Sequence, residues 1–172
     1  NPTDTILLKK ARQRLKYEEL FMYLLKINYL KEKIRDDELA IERNIDREKI
    51  DKFIKKLPYE FTIDQTIVLK EILNDMDSKK RMNRLLQGDV GSGKTIVALL
   101  ASYANYLSGY QTALMVPTEI LANQHYKEAK SLFEDEKMII ELLTSSTNKK
   151  DRERICEDLA NGKIDLIIGT QS

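Results

Sequence analysis

The segment Gly88-Asp89-Val90-Gly91-Ser92-Gly93-Lys94-Thr95 has the residue types and the spacing to hold a polyphosphate. Glycines let the backbone curl so that successive N–H groups face inward, and a helix beginning at the same point adds the positive end of its dipole. A lysine at the helix start aims a point charge at β- and γ-phosphates, and the next hydroxyl is placed to ligate Mg²⁺. All eight residues fit the pattern G-x-x-x-x-G-K-[ST]. Lys94 and Thr95 are therefore the candidate catalytic groups, Thr95 the candidate metal ligand, and Gly88 to Thr95 the candidate nucleotide cradle. A glycine-rich turn that binds nothing is the plainer alternative. The flanking residues argue against it: Leu85-Leu86 reads as an apolar strand and Ile96-Val97-Ala98-Leu99-Leu100 as an apolar helix, which is the context a phosphate-binding loop requires.

Upstream lies Leu57-Pro58-Tyr59-Glu60-Phe61-Thr62-Ile63-Asp64-Gln65. Thr62 and Gln65 have the spacing of a capping box, which explains them without any ligand. An amide can also pair with adenine, accepting from its 6-amino group and donating to N7. A nearby ring, Tyr59, is able to stack on a base. Ahead of a phosphate-binding loop at this distance, the base-reading role is favoured for Tyr59, Thr62 and Gln65.

These groups must be positioned by an ordered scaffold, and the composition allows one. The chain has 172 residues, 42% hydrophobic and 33% charged, as in a folded domain with an appendage. Its 29 basic and 28 acidic residues leave a net charge of +1, so any nucleic-acid contact must come from local charge placement. A single cysteine, Cys156, excludes an internal disulfide or a cysteine-based zinc site and fits a reducing, cytoplasmic compartment. It is expected to be a small packing residue, and the lone His125 an exposed helical one. No apolar run is long enough to cross a membrane, and no signal peptide is visible at the start. A chain opening at Asn1 without methionine is expected to be cut from something longer.

The stretch from Thr5 to Arg35 lacks Gly and Pro, with Asn1-Pro2-Thr3-Asp4 offering caps. Leu8, Ala11, Leu15, Phe21, Met22, Leu25, Tyr29 and Ile34 are spaced close to a helical period. A helix of that length extends on the order of 45 Å, so it reads as a connecting helix, continuous or broken once, packed on the following domain. Its basic residues Lys9, Lys10, Arg12, Arg14 and Lys16 either meet DNA or form a solvated face. A short helix from Asp46 to Leu57 follows. From Tyr59 onward, strands expected at Arg84–Gln87, Thr112–Val116, Met138–Leu143 and Ile164–Ile168 alternate with helices at Ile63–Asp77, Lys94–Ser108, Glu119–Glu134 and Lys149–Asn161, the pattern of βα units in a parallel sheet.

Several of these segments together resemble one family. Pro58–Gln65 looks like the adenine-reading Q motif of superfamily 2 helicases, and Met82–Thr95 is similar to the form found in the RecG family and in the transcription-repair coupling factor. Met115-Val116-Pro117-Thr118-Glu119-Ile120-Leu121-Ala122-Asn123-Gln124-His125 resembles motif Ia. Ile167-Ile168-Gly169-Thr170-Gln171 resembles the start of the next DNA-contacting segment. Ala11–Leu20 is similar to the helix that joins the wedge domain of RecG to its motor. The resemblance implies an α/β fold: the parallel sheet of an incomplete, RecA-like first motor domain at residues 57–172, preceded by a helical arm at 1–56. It implies ATP and Mg²⁺ as cofactors and branched DNA as partner of a monomeric, cytoplasmic protein acting in repair and recombination.

By the same resemblance, Pro117, Thr118, Thr144, Ser145, Gly169 and Thr170 contact DNA phosphates from loops at the strand ends. Pro117 and Thr118 also suit an ordinary strand end and helix cap. Leu143-Thr144-Ser145-Ser146 departs from the family's Leu-Thr-Gly-Ser, and serine narrows the backbone conformations open to that loop. In the Q motif, Asp64 stands where a small residue is commoner and Tyr59 where phenylalanine is usual. The family's hydrolytic Asp-Glu-x-His segment is expected beyond Ser172, so this stretch alone is expected to lack ATPase activity and to leave central strand edges open. Two other readings remain: a P-loop kinase, for which neither lid nor acceptor site is evident, and a helical interaction module with a vestigial loop.

Overall fold

The computed structural model describes residues 4–37, 40–79 and 81–171. Backbone contacts divide the chain into two units, Asn1–Ile41 with Lys79–Arg81, and Glu42–Ser78 with Met82–Ser172.

The first unit is built on one unbroken helix, α1 (Thr5–Asp37). The Asp4 carboxylate accepts from the N–H groups of Ile6 at 2.8 Å and Leu7 at 3.3 Å, which meets two of the donors a helix start leaves open. The other expected caps, Asn1, Pro2 and Thr3, lie outside the described residues. Along α1, Arg14 pairs with Glu18 at 2.8 Å and the rings of Tyr17 and Phe21 stack at 6.1 Å, both contacts one helical turn apart. The consecutive run Leu20 to Leu25 places apolar side chains all around the axis, and each of them is exposed.

The second unit carries α2 (Arg47–Ile54), α3 (Ile63–Met76), α4 (Lys94–Leu107), β1 (Thr112–Met115), α5 (Glu119–Leu132), β2 (Ile140–Leu143), α6 (Lys149–Ala160) and β3 (Leu166–Gly169). Asp46 caps α2 by accepting from Lys49 N at 3.0 Å. Ile50 and Phe53 of α2 are buried in the core of this unit, so a helix that the sequence reading assigned to the arm packs with α4 instead. The ring of Phe53 meets Tyr103 at 4.7 Å and Phe133 at 5.4 Å, which ties α2, α4 and the end of α5 together.

The sheet is parallel, in the order β1-β3-β2. Central β3 is flanked by a strand on each edge, and on one face Leu166 and Ile168 have no exposed surface, while Ile167 on the other is partly buried. Asn105 of α4 fixes the turn into β1, donating from Nδ2 to Gln111 O and to Thr112 Oγ1 at 3.0 Å each. Gly109 and Gly162, at φ of 79° and 70°, follow α4 and α6 where left-handed residues were expected.

One expected element is absent. Arg84–Gln87 forms no strand, and Leu85 is 86% exposed. A strand exists only through a ladder with a neighbour, and none of the described strands pairs with this segment. Side chains hold it instead: Arg84 bonds Asp75 of α3 through Nε at 2.9 Å and also reaches Glu71. These carboxylates, Asp75 foremost, keep the guanidinium more firmly protonated than usual. Leu166→Ala is expected to lower the unfolding free energy by about 2–5 kcal/mol, because it empties a fully buried site in the central strand. Urea titration of the variant against wild type measures the loss, and a change below about 1 kcal/mol would contradict the central place of β3.

Candidate nucleotide and nucleic-acid sites

The phosphate-binding loop is shaped by its glycines. Gly91 lies at φ 82°, and Gly93, the residue before α4, at φ 78°. Both are left-handed, a conformation that costs other residues about 1–2 kcal/mol. No side chain caps α4, so the main-chain donors at its start face the loop. A side chain on Gly88 would meet Ser92 Oγ at 2.8 Å, and one on Gly93 would fall on the Gln65 amide. At Gly88 and Gly93 a larger residue would have to displace the Ser92 hydroxyl or the Gln65 amide, whereas at Gly91 the backbone conformation alone favours glycine. Lys94 arches back over the loop, where its ammonium donates to Gly88 O at 2.9 Å and Asp89 O at 2.6 Å, with Ser92 Oγ at 3.5 Å. Thr95 follows in the first turn of α4, and Val90 stands fully exposed at the tip of the loop.

Gln65 joins two segments that the sequence shows only as neighbours in order. Thr62 and Gln65 form the capping box of α3: Gln65 N donates to Thr62 Oγ1 at 3.2 Å, and Thr62 N donates to Gln65 Oε1 at 3.0 Å. From the same side chain, Nε2 donates to Ser92 O in the loop at 2.9 Å. Thr62, Gln65, Gly88, Ser92, Gly93 and Lys94 line one hollow, together with Asp64 and Val68. Tyr59 lies elsewhere. It is half-exposed and lines a second hollow with Pro58, Ile96 and Glu128, and burial, then the charge of Glu128, raises its hydroxyl pKa. Ile96 lines this second hollow, and its Cγ2 would stand 3.5 Å from a side chain placed on Gly93.

The candidate DNA-contacting residues gather at one sheet edge because the register aligns the strand ends, Met115 with Gly169 and Gly169 with Leu143. Pro117, Ser145 and Thr170 line a common hollow there. Thr118 caps α5, its hydroxyl accepting from Leu121 N at 3.3 Å. Thr144 is buried, and Gly169, partly exposed, closes on the neighbouring strands. Thr144 is 2% exposed, its N–H donates to Thr147 Oγ1 at 3.0 Å, and its hydroxyl shares a hydrogen bond with Ser146 Oγ at 2.8 Å. Gly169 accepts from Val116 N at 2.9 Å, and a side chain on it would strike the Leu143 carbonyl. Both were expected against DNA. Short-range patterning shows a hydroxyl or a glycine but not which way the chain turns it.

Sequence reasoning also passed over Glu119, which stands in the same hollow and accepts from Ser145 and Ser146. As the first residue of α5 it looked like an ordinary helix-start acid, and nothing in its spacing points to a loop 26 residues on. His125 is more covered than expected, its side chain 17% exposed and 3.1 Å from Glu128, whereas Cys156 is exposed rather than packed.

The two left-handed glycines separate strain from contact. Gly91→Ala, with nothing within 4 Å of its new methyl, is expected to cost about 1 kcal/mol of stability. Gly93→Ala is expected to cost more, since it must also displace the Gln65 amide. Equal losses in parallel denaturant titrations would show that the contact with Gln65 is not made.

With this geometry in place, comparison with known proteins is specific. The DEAD/DEAH box helicase family matches residues 62–172. The ATP-dependent DNA helicase RecG of Bacillus subtilis is 50% identical over 165 residues, 96% of this chain and 24% of the relative. Its Thermotoga maritima counterpart is 47% identical over 165 residues, 96% of this chain and 21% of the relative. A solved structure of RecG bound to a three-way DNA junction superposes with a TM-score of 0.88 at 46% identity, covering 98% of this chain and 23% of that one. The chain thus spans about a quarter of the length of the relatives it matches. These relatives do not favour the kinase alternative, and the family match implies the use of ATP. Sharing the loop, the sheet edge and the family pattern over most of its length, the chain belongs to the DEAD/DEAH box helicases.

Proposed function

We propose that this chain is the ATP-binding front part of an ATP-dependent DNA helicase or translocase that acts on branched DNA in repair and recombination. The observation that carries the proposal is the closed arrangement around the loop, with Gln65 bonded to Ser92 and Lys94 poised over carbonyls at the head of α4. The names of the relatives, and the junction-bound state of the solved one, support DNA as partner. Residues 57–172, with α2 packed on them, form the N-terminal part of the first motor domain, and the helix before them is an arm. The whole protein is a cytoplasmic monomer.

The residues fit ATP with Mg²⁺. Two glycines leave space that a side chain would fill, main-chain donors face that space, and Thr95 stands beside Lys94 as a hydroxyl ligand. Lys94 exchanges its bonds to Gly88 O and Asp89 O for phosphate oxygens, an exchange that favours the more strongly charged acceptor. Mg²⁺ held by the Thr95 hydroxyl would offset the charge of the phosphates. Gln65 serves as both cap and base reader. Its Nε2 holds a second hydrogen and its Oε1 a second lone pair, so two bonds within the protein leave one donor and one acceptor for adenine.

At the sheet edge, Pro117, Thr118, Ser145 and Thr170 meet DNA phosphates, while Thr144 and Gly169 hold the edge in shape. Such contacts make binding independent of sequence and sensitive to salt.

Lys94→Ala is expected to abolish or greatly weaken ATP binding in a fluorescent-nucleotide titration, and unchanged affinity would contradict the site. Gln65→Ala is expected to narrow the preference for ATP over GTP, because the purines exchange donor and acceptor at the 6-position. A variant that loses stability but keeps its selectivity would leave Gln65 with the capping role alone.

A further inference from the structure

The loop after β2 is tied together by its own side chains. Thr147 Oγ1 accepts from Thr144 N at 3.0 Å, Thr147 N donates to Thr144 O at 3.2 Å, and Arg152 of α6 adds a bond to the same carbonyl at 3.4 Å. The hydroxyls of Thr144 and Ser146 bond each other at 2.8 Å. These contacts fix the shape of the loop but do not fix where it lies against the loop after β1. Glu119 does. One carboxylate oxygen accepts from Ser145 Oγ and from Ser146 N, the latter at 3.0 Å, so the first turn of α5 and the loop after β2 are held at a set distance. The bond to the Ser145 hydroxyl, and then that to the Ser146 N–H, hold the Glu119 carboxyl below its usual range and keep it an acceptor at neutral pH.

We propose that Glu119 is a positioning residue for nucleic-acid binding: by accepting from Ser145 and Ser146 it sets the spacing between the Thr118 hydroxyl and the Ser145 backbone N–H, which meet phosphates of one strand. The proposal rests on the reading of this edge as a DNA surface. It also gives Ser145 a role. Where the resemblance leads one to expect glycine, the serine supplies a second donor to Glu119, so the substitution adds a brace to the loop rather than only narrowing its backbone. The charge of Glu119 is unfavourable beside phosphates, and its place on this surface is set by the two bonds its one oxygen accepts. An acid with no such role would be a liability on this surface.

The test is made in the full-length protein by fluorescence anisotropy with a labelled DNA fork, with ATP binding followed in parallel. Glu119→Gln and Glu119→Ala both remove the charge, but only glutamine keeps an oxygen that can accept from Ser145 and Ser146. Relative to Glu119→Gln, Glu119→Ala is expected to weaken fork binding about tenfold, the scale of one or two lost hydrogen bonds at an anchored loop, with nucleotide affinity unchanged. Ser145→Gly is expected to fall between them. Retained nucleotide binding shows that the variants are folded. If the alanine and glutamine variants bind the fork equally, Glu119 does not position this loop. If the wild-type protein binds the fork, and alanine substitution of Thr118, Ser145 and Thr170 together leaves that binding unchanged, the DNA surface itself is misplaced and the proposal falls with it.

Discussion

Binding a phosphate through main-chain N–H groups demands a backbone that few residues can adopt, and Gly91 and Gly93 meet that demand at φ 82° and 78°. Much of the second unit depends on this constraint. Gly93 starts α4, and α4 carries Val97, Leu99, Leu100, Tyr103 and Ala104 into the core. The close approach that Gly93 permits also brings the start of α3 against the loop through Gln65. The core helix, the start of α3 and the glycine loop therefore meet at Ser92 and Gly93, so a change there acts on folding and on the proposed nucleotide site together.

The second site follows from a different rule. Parallel strands in register end on the same edge, so loops separated by dozens of residues come together without any sequence pattern that joins them. Side-chain bonds then set the fine spacing. Gly169 allows β3 to approach the Leu143 carbonyl, and Glu119 bridges the loops on either side. The nucleotide hollow and the strand-end hollow are thus supported by separate sets of hydrogen bonds within one unit.

What the sequence disclosed was local. The loop motif, the capping box of α3 and the Thr118 cap of α5, the glycines after α4 and α6, and most helical and strand runs were legible because each is set by neighbours within a few residues. Most helix and strand ends fell within a residue or two of expectation, but α2 stops at Ile54, short of the expected Leu57. Contacts between distant segments were not legible. Arg84–Gln87 has the composition of a strand, but forming one depends on a neighbour, and its place is kept by Arg84 on Asp75 and Glu71 instead. Tyr59 lines a different hollow from the loop residues, and the Thr144 side chain is buried, because packing and not periodicity decides where a side chain points. Only tertiary geometry could reveal that Glu119 answers Ser145 and Ser146.

The exposed apolar side chains of α1 have a consequence for calorimetry. Heat capacity rises on unfolding mainly because apolar groups become hydrated, and those of Leu20 to Leu25 are already about half or more exposed in the folded helix. Melting α1 therefore absorbs heat through its backbone hydrogen bonds while adding little to the heat capacity. Its stability changes almost linearly with temperature. The second unit, with Leu100, Leu166 and Ile168 wholly removed from water, follows a strongly curved profile with a maximum. The two parts of one chain thus carry different thermal signatures, and cold weakens the packed unit by a route to which the bare helix is nearly indifferent.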